Sequence, residues 1–199
     1  MKVNRDPPPL VPNPVLHFVF RYASSNGDTA VLTTASLMNL IWFASGTTAG
    51  GRLFSAFRLG RIEAWGVADS SVNFTSINLQ WDDNYTAPQF AIQDNGNANR
   101  PAHIVAVPPA RSLAGFWHSQ TETKTNVLAY LSGPKGMIVD IHISYMMLNN
   151  LGNPYSLTTT GATDKALYYN YLDNTSSSGT AGLGTFSYIS PQLLRLAYG

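Results

Sequence analysis

The chain has 199 residues, with 12 basic and 11 acidic side chains, a formal net charge of +1 and no cysteine. Charged residues make up 12% of it, against about 25% in an average soluble protein, and 18 Ser, 17 Thr and 16 Asn take up the difference. This balance excludes a polycation, a highly charged disordered chain, a disulfide scaffold, a zinc–thiolate site and a cysteine nucleophile.

Residues 1–14 hold five prolines (Pro7, Pro8, Pro9, Pro12 and Pro14) and read as an extended N-terminal arm. The arm has no apolar stretch of the kind found in secretion signals. No run reaches the roughly 18 apolar residues of a membrane span. The sequons at Asn73, Asn84 and Asn174 read as products of the composition. Residues 15–22 alternate, with Leu16, Phe18, Phe20 and Tyr22 on one face, and predict a strand. Thr34 to Ala44 repeats its apolar positions at three and four and predicts a short helix capped by Thr34 or Ser36. Residues 45–51 read as a loop. Ser55 to Gly66 predicts a strand with a bulge at Gly60. Val72 to Trp81 predicts another, with a phase shift near Thr75 and Ser76. Asp82 to Arg100 reads as a long polar loop, Ala102 to Val107 as a short strand, and Arg111 to His118 as one or two helical turns. Asn126 to Leu131 and Met137 to Leu148 predict strands, the second with Asp140, His142 and Ser144 opposite its apolar face. Residues 149–163 read as loop, and Lys165 to Leu172 and Leu193 to Tyr198 as the last strands, separated by a Ser/Gly-rich loop from Asn174 to Gly184.

Eight main strands, or nine with a short one near Val31, come without βαβ alternation. They predict an all-β fold: a single eight-stranded antiparallel jelly-roll sandwich over residues 15–199, with two short helices in loops.

Catalytic motifs are absent: there is no G-x-S-x-G, no phosphate loop and no H-E-x-x-H. The histidines His17, His103, His118 and His142 lack metal spacing. Asp140 and His142 share a strand face, as metal ligands or a base with its orienter would, or as two outward groups of a sheet. Glu63 and Glu122 are the only glutamates, and Glu63 at the parity of Arg61 reads as an ion-pair member. No enzyme is expected. Asp82, Asp83 and Asp94 offer hard oxygen ligands for Ca²⁺ between subunits, or ordinary turn chemistry; no other cofactor is expected. For nucleic acid, Arg52, Arg58 and Arg61 lie close in sequence, and Lys2 and Arg5 lie on the arm. Three arginines bind phosphate weakly alone, but copies lining one surface sum. Trp81 and Trp117 fit apolar stripes and are assigned to the core, whereas Trp65 has outward parity. Tyr168, Tyr169 and Tyr171 with Trp65 would serve a carbohydrate-binding module, the alternative function.

Two stretches carry a family pattern. Residues 54–66, Phe-Ser-Ala-Phe-Arg-Leu-Gly-Arg-Ile-Glu-Ala-Trp-Gly, resemble the strand before E-x-W-G/A in capsid proteins of small circular single-stranded DNA viruses that encode a replication protein. Residues 101–117, which contain Pro-Ala-His, Pro-Pro and Ser-Leu-Ala-Gly-Phe-Trp, look like the R-P-A-H…P-P-x-x-S-L-A-x-F-W segment of the same group. Gly136 to Leu148 is similar to the strand that follows. The group in turn resembles the shells of small icosahedral RNA plant viruses, so DNA and RNA both remain open. The resemblance implies a coat protein that self-assembles into an icosahedral virion shell around viral genomic nucleic acid, with no membrane. Such proteins often carry a basic arm, whereas this arm has only Lys2 and Arg5: either the sequence is a truncated form, or Arg52, Arg58, Arg61 and their neighbours on the inner face take that role, or the genome is packaged by another route.

Overall fold

The computed structural model describes residues 14–27, 29–67, 75–82, 90–97, 99–119, 126–147, 156–158, 162–173 and 186–191. The arm residues 1–13, and with them Lys2 and Arg5, lie outside these, as do Asp83, Glu122 and the strand expected at 193–198. Among the described residues no helix is long and apolar enough to cross a membrane.

Strands dominate, and all pairings are antiparallel. The first sheet orders β14 (Phe186–Pro191), β1 (Val15–Ser24), β11 (Ile138–Met147), β5 (Phe54–Trp65) and β8 (His103–Ala106), with β9 (His118–Ser119) also pairing with β5. The second orders β2 (Thr29–Thr33), β10 (Val127–Ser132), β6 (Thr75–Trp81) and β7 (Phe90–Gly96). A third, small sheet orders β12 (Ser156–Thr158), β4 (Ala49–Arg52), β3 (Ile41–Ala44) and β13 (Leu167–Tyr169). The pairs of the two larger sheets are nested in sequence: β1 with β11, β2 with β10, β5 with β8 and β6 with β7. A hairpin of paired strands rolled up in this way is consistent with a jelly roll.

The two larger sheets share one core, because alternate residues of each strand point inward. Phe20 and Tyr22 of β1, Ile141 and Tyr145 of β11, and Phe57 and Ile62 of β5 meet Leu32, Ile77, Leu79, Trp81 and Leu131 of the second sheet. The Tyr145 hydroxyl donates to the Leu37 carbonyl and so finds the partner that a buried phenol needs.

The helix expected from Thr34 to Ala44 is a single turn, α1 (Thr34–Met38), and Ile41–Ala44 is strand β3. Thr33, not Thr34 or Ser36, is the cap: its hydroxyl accepts from the Ser36 amide, and the Ser36 hydroxyl accepts from the Thr33 amide. Beyond Leu40 the β-branched and aromatic Ile-Trp-Phe run suits a pleated surface better than a helix. The supposed loop 45–51 contains the start of β4. Gly50 packs so closely under Trp42 that an added Cβ would lie 2.9 Å from its ring carbons, so the residue type permits the pairing. The polar loop expected over 82–100 contains β7, whose Gln, Asp and Asn residues are paired through the backbone to β6. Strand β12 interrupts the loop expected at 149–163. From Thr75 to Trp81 the β6 ladder with β7 runs in unbroken register, and Val72 and Phe74, on which the phase shift expected near Thr75 and Ser76 rests, lie outside the described residues. The Gly60 bulge is present: the register jumps from Leu59–Ile143 to Arg61–His142. The helical turns expected over Arg111–His118 reduce to one 3-10 turn at Leu113–Gly115.

Candidate nucleic-acid interface

The outward face of the first sheet collects charge in registered rows. β1 contributes His17, Val19 and Arg21, β11 contributes Ser144, His142 and Asp140, and β5 contributes Arg58, Arg61 and Glu63. β8 adds His103 beside Trp65 and Val105 beside Glu63. The bulge at Gly60 is what puts Arg58 and Arg61, an odd number of residues apart, on one face.

Hydrogen bonds tie the rows together. Arg21 donates through Nε and Nη2 to Asp140 Oδ1 and Oδ2, both at 2.7 Å. This bidentate bond raises the Arg21 pKa further above its ordinary value. Arg61 Nη2 lies 3.1 Å from His142 Nε2 and 3.4 Å from Glu63 Oε2. Glu63 Oε1 in turn lies 3.0 Å from His103 Nε2. His103 stacks on Trp65 with ring centres 5.3 Å apart, and the Arg21 guanidinium lies 5.7 Å from the Trp65 ring centre. His17 Nδ1 lies 2.8 Å from the Ser144 hydroxyl. Arg58 donates through Nε to the Gly115 carbonyl at 3.0 Å, and among the described residues it has no carboxylate partner. Burial first, and then the Arg61 charge, push the His142 pKa below its ordinary value.

Of the basic residues expected from the sequence, Arg58 and Arg61 share this face. Arg52 does not: it is 6% exposed, and its Nε donates to Asn39 Oδ1 at 2.7 Å inside the core. Asp140 and His142 both point outward, as the sheet-face reading expects; Asp140 bonds Arg21 and His142 contacts Arg61, so they are not a base and its orienter. Glu63 is an ion-pair member as expected. Of the calcium set, Asp82 follows β6 at the Trp81–Phe90 end, whereas Asp94 sits opposite Ile77 near the other end. Five residues of strand separate the two positions, about 16 Å, so one chain does not bring them together. Asp94 instead accepts from the His103 amide at 2.8 Å, which lowers its pKa.

Three ring assignments change or sharpen. Trp81 is core, but Trp117 is 42% exposed and, with Val107 (61%) and Phe116 (54%), forms an apolar set after edge strand β8. The turn at Leu113–Gly115 frees these rings from the helical stripe that assigned them inward. Tyr168 stacks on Trp42 at 4.5 Å while Tyr169 lies beside Phe20, so the tyrosines of β13 form no single row. His118 is a core histidine, its Nε2 donating to the Leu113 carbonyl and its ring stacked on Phe57. The sequence reading missed His17 and Arg21 as members of the face, although their outward parity on β1 was visible.

No family model and no curated protein matches the sequence. Solved structures with similarity include a virus-like particle of the giant freshwater prawn Macrobrachium rosenbergii extra small virus, at 14% identity over 75% of this chain and 88% of that one, with a TM-score of 0.47. Desmodium yellow mottle tymovirus matches at 15% identity over 76% and 99%, with a TM-score of 0.44. Cocksfoot mottle virus matches at 8% identity over 75% and 91%, with a TM-score of 0.32.

Proposed function

We propose that the chain is a viral coat protein that self-assembles into a small icosahedral shell and turns its charged sheet face toward the packaged genome. The nested pairing of β1 with β11, β2 with β10, β5 with β8 and β6 with β7 carries this reading. In it these eight strands are the jelly-roll shell domain, and β3, β4, β9, β12, β13 and β14 are additions to it. The sequence resemblance of residues 54–66 and 101–117 points to the same class, and both stretches lie at the β5–β8 end of the charged sheet.

Two surfaces divide the work. Val107, Phe116 and Trp117 supply the exposed apolar area that repeated copies cover, with little charge to desolvate. Arg58 and Arg61 supply weak phosphate contacts that become collectively strong when many copies line one cavity. Size-exclusion chromatography with negative-stain microscopy tests the reading. The expected result is closed particles of uniform size, and a Trp117→Asp variant that stays folded but unassembled. A wild-type monomer at every salt concentration and pH overturns it.

A further inference from the structure

The surroundings of Arg61 point to a proton-controlled contact. A guanidinium has only donors. His142 Nε2, 3.1 Å from Arg61 Nη2, can therefore accept only in the neutral ring with its proton on Nδ1. The same Nη2 is held by Glu63 Oε2, whose other oxygen contacts His103. We infer that Arg61 is a proton-gated phosphate contact, held against the sheet by neutral His142 and by Glu63 and released toward nucleic acid when His142 takes up a proton. This rests on the nucleic-acid reading above and adds its regulation.

The chemistry follows from each group around the contact. Protonated His142 turns Nε2 into a donor facing a donor, with two like charges at hydrogen-bond distance. Protonated His142 also offers Glu63 a second cation and so weakens its hold on Arg61. Asp140, the other anion of this face, is committed through both its oxygens to Nε and Nη2 of Arg21 from β1. Arg58 on β5 adds only positive charge, and His17 on β1, His103 on β8 and Ser144 on β11 bring no negative charge. No group on this face therefore replaces the lost restraint. With its side chain 43% exposed, Arg61 has a path to solvent.

The test measures binding of a fluorescent oligothymidylate at fixed ionic strength, between about pH 7.5 and about pH 5. Wild type, His142→Gln and Arg61→Gln are compared, since glutamine at 142 keeps an acceptor and cannot be protonated. The wild type should gain affinity on acidification by about tenfold more than either variant, the lower end of what one charge-assisted contact contributes. Equal gains in all three overturn the gate while leaving the nucleic-acid reading intact. Absence of binding at any pH sinks that reading instead. In that event ¹⁵N NMR of the wild-type protein decides the gate. Neutral His142 should be the Nδ1–H tautomer, and the Arg61 side-chain resonances should move with its titration. The other tautomer, or Arg61 signals that do not move with it, overturns the gate.

Discussion

The two outward faces of the sandwich are built on the same antiparallel pleat and differ in almost everything else. The face of β1, β11, β5 and β8 carries Arg21, Arg58, Arg61, Glu63, His103, Asp140 and His142, knitted across strands by ion pairs. The face of β2, β10, β6 and β7 carries Thr29, Val31, Ser76, Asn78, Gln80, Gln93, Asn95, Tyr130 and Ser132, with no charged residue among them. Its contacts are neutral, such as Gln93 Nε2 donating to the Ser76 hydroxyl at 3.0 Å. A low total charge therefore does not mean a uniformly uncharged surface. Between the two faces the charge divides unequally: Arg21, Arg58, Arg61, Glu63 and Asp140 lie on the first and the named residues of the second are neutral, while other described charges, among them Arg52, Arg100, Arg111, Lys135, Asp164 and Lys165, belong to neither.

The largest expected difference between the faces is in stability. Within the Arg21–Asp140 pair the side chains are 35% and 8% exposed. Arg21→Met strands the more buried carboxylate, with an expected loss of about 3 kcal/mol in urea unfolding. Asp140→Asn should cost less, because the half-exposed Arg21 can turn to water. Gln80→Met on the neutral face should stay within about 0.5 kcal/mol, as surface changes do. If Arg21→Met and Gln80→Met cost the same, the charged face is not structurally knitted and the contrast fails.

A smaller effect concerns ionic strength. Arg58 has no carboxylate partner among the described residues, so it is the cation of the face with the least to give up on binding phosphate. Arg58→Gln should lower the salt slope of oligonucleotide binding by about one. Gln93→Glu on the neutral face should leave that slope where it is. A slope lowered equally by both would place the nucleic acid on neither face in particular.

How much of this was legible in the sequence depended on which interaction decides each segment. Period-two alternation marked β1 and β11 correctly, because both bury one face and solvate the other. It failed on β7, where Gln93, Asp94 and Asn95 are held by backbone pairing to β6 and the apolar signal is nearly absent. It failed on Ile41–Ala44, where local helical spacing lost to pairing with β4 and β13, segments that lie far off in sequence or have little side-chain signal. The bulge at Gly60 was readable from the glycine itself. Arg58 and Arg61 were readable as a cluster, but Arg52 was not separable from them, because its burial depends on Asn39 receiving its guanidinium. Asp140 and His142 were placed outward correctly. Their true partners, Arg21 and Arg61, come from the register of three strands, which no local pattern states.

The smallest predicted effect is a pH slope confined to one face. Burial and Arg61 hold the His142 pKa in the folded protein below its ordinary value, which is about 6.5 in an unfolded chain. Below that pH the unfolded chain binds the proton more readily than the folded one, so stability falls as the pH falls and is recovered above it. The contact is partly solvated, so screening keeps the loss below about 1 kcal/mol. Urea unfolding at a series of pH values should show this slope in the wild type and a shallower one in His142→Gln. Gln80→Met should keep the wild-type slope, since the neutral face contributes no imidazole to titrate in this range. A slope unchanged by His142→Gln would mean that another histidine sets it, and the charged face would lose its claim to respond to protons through the Arg61 contact.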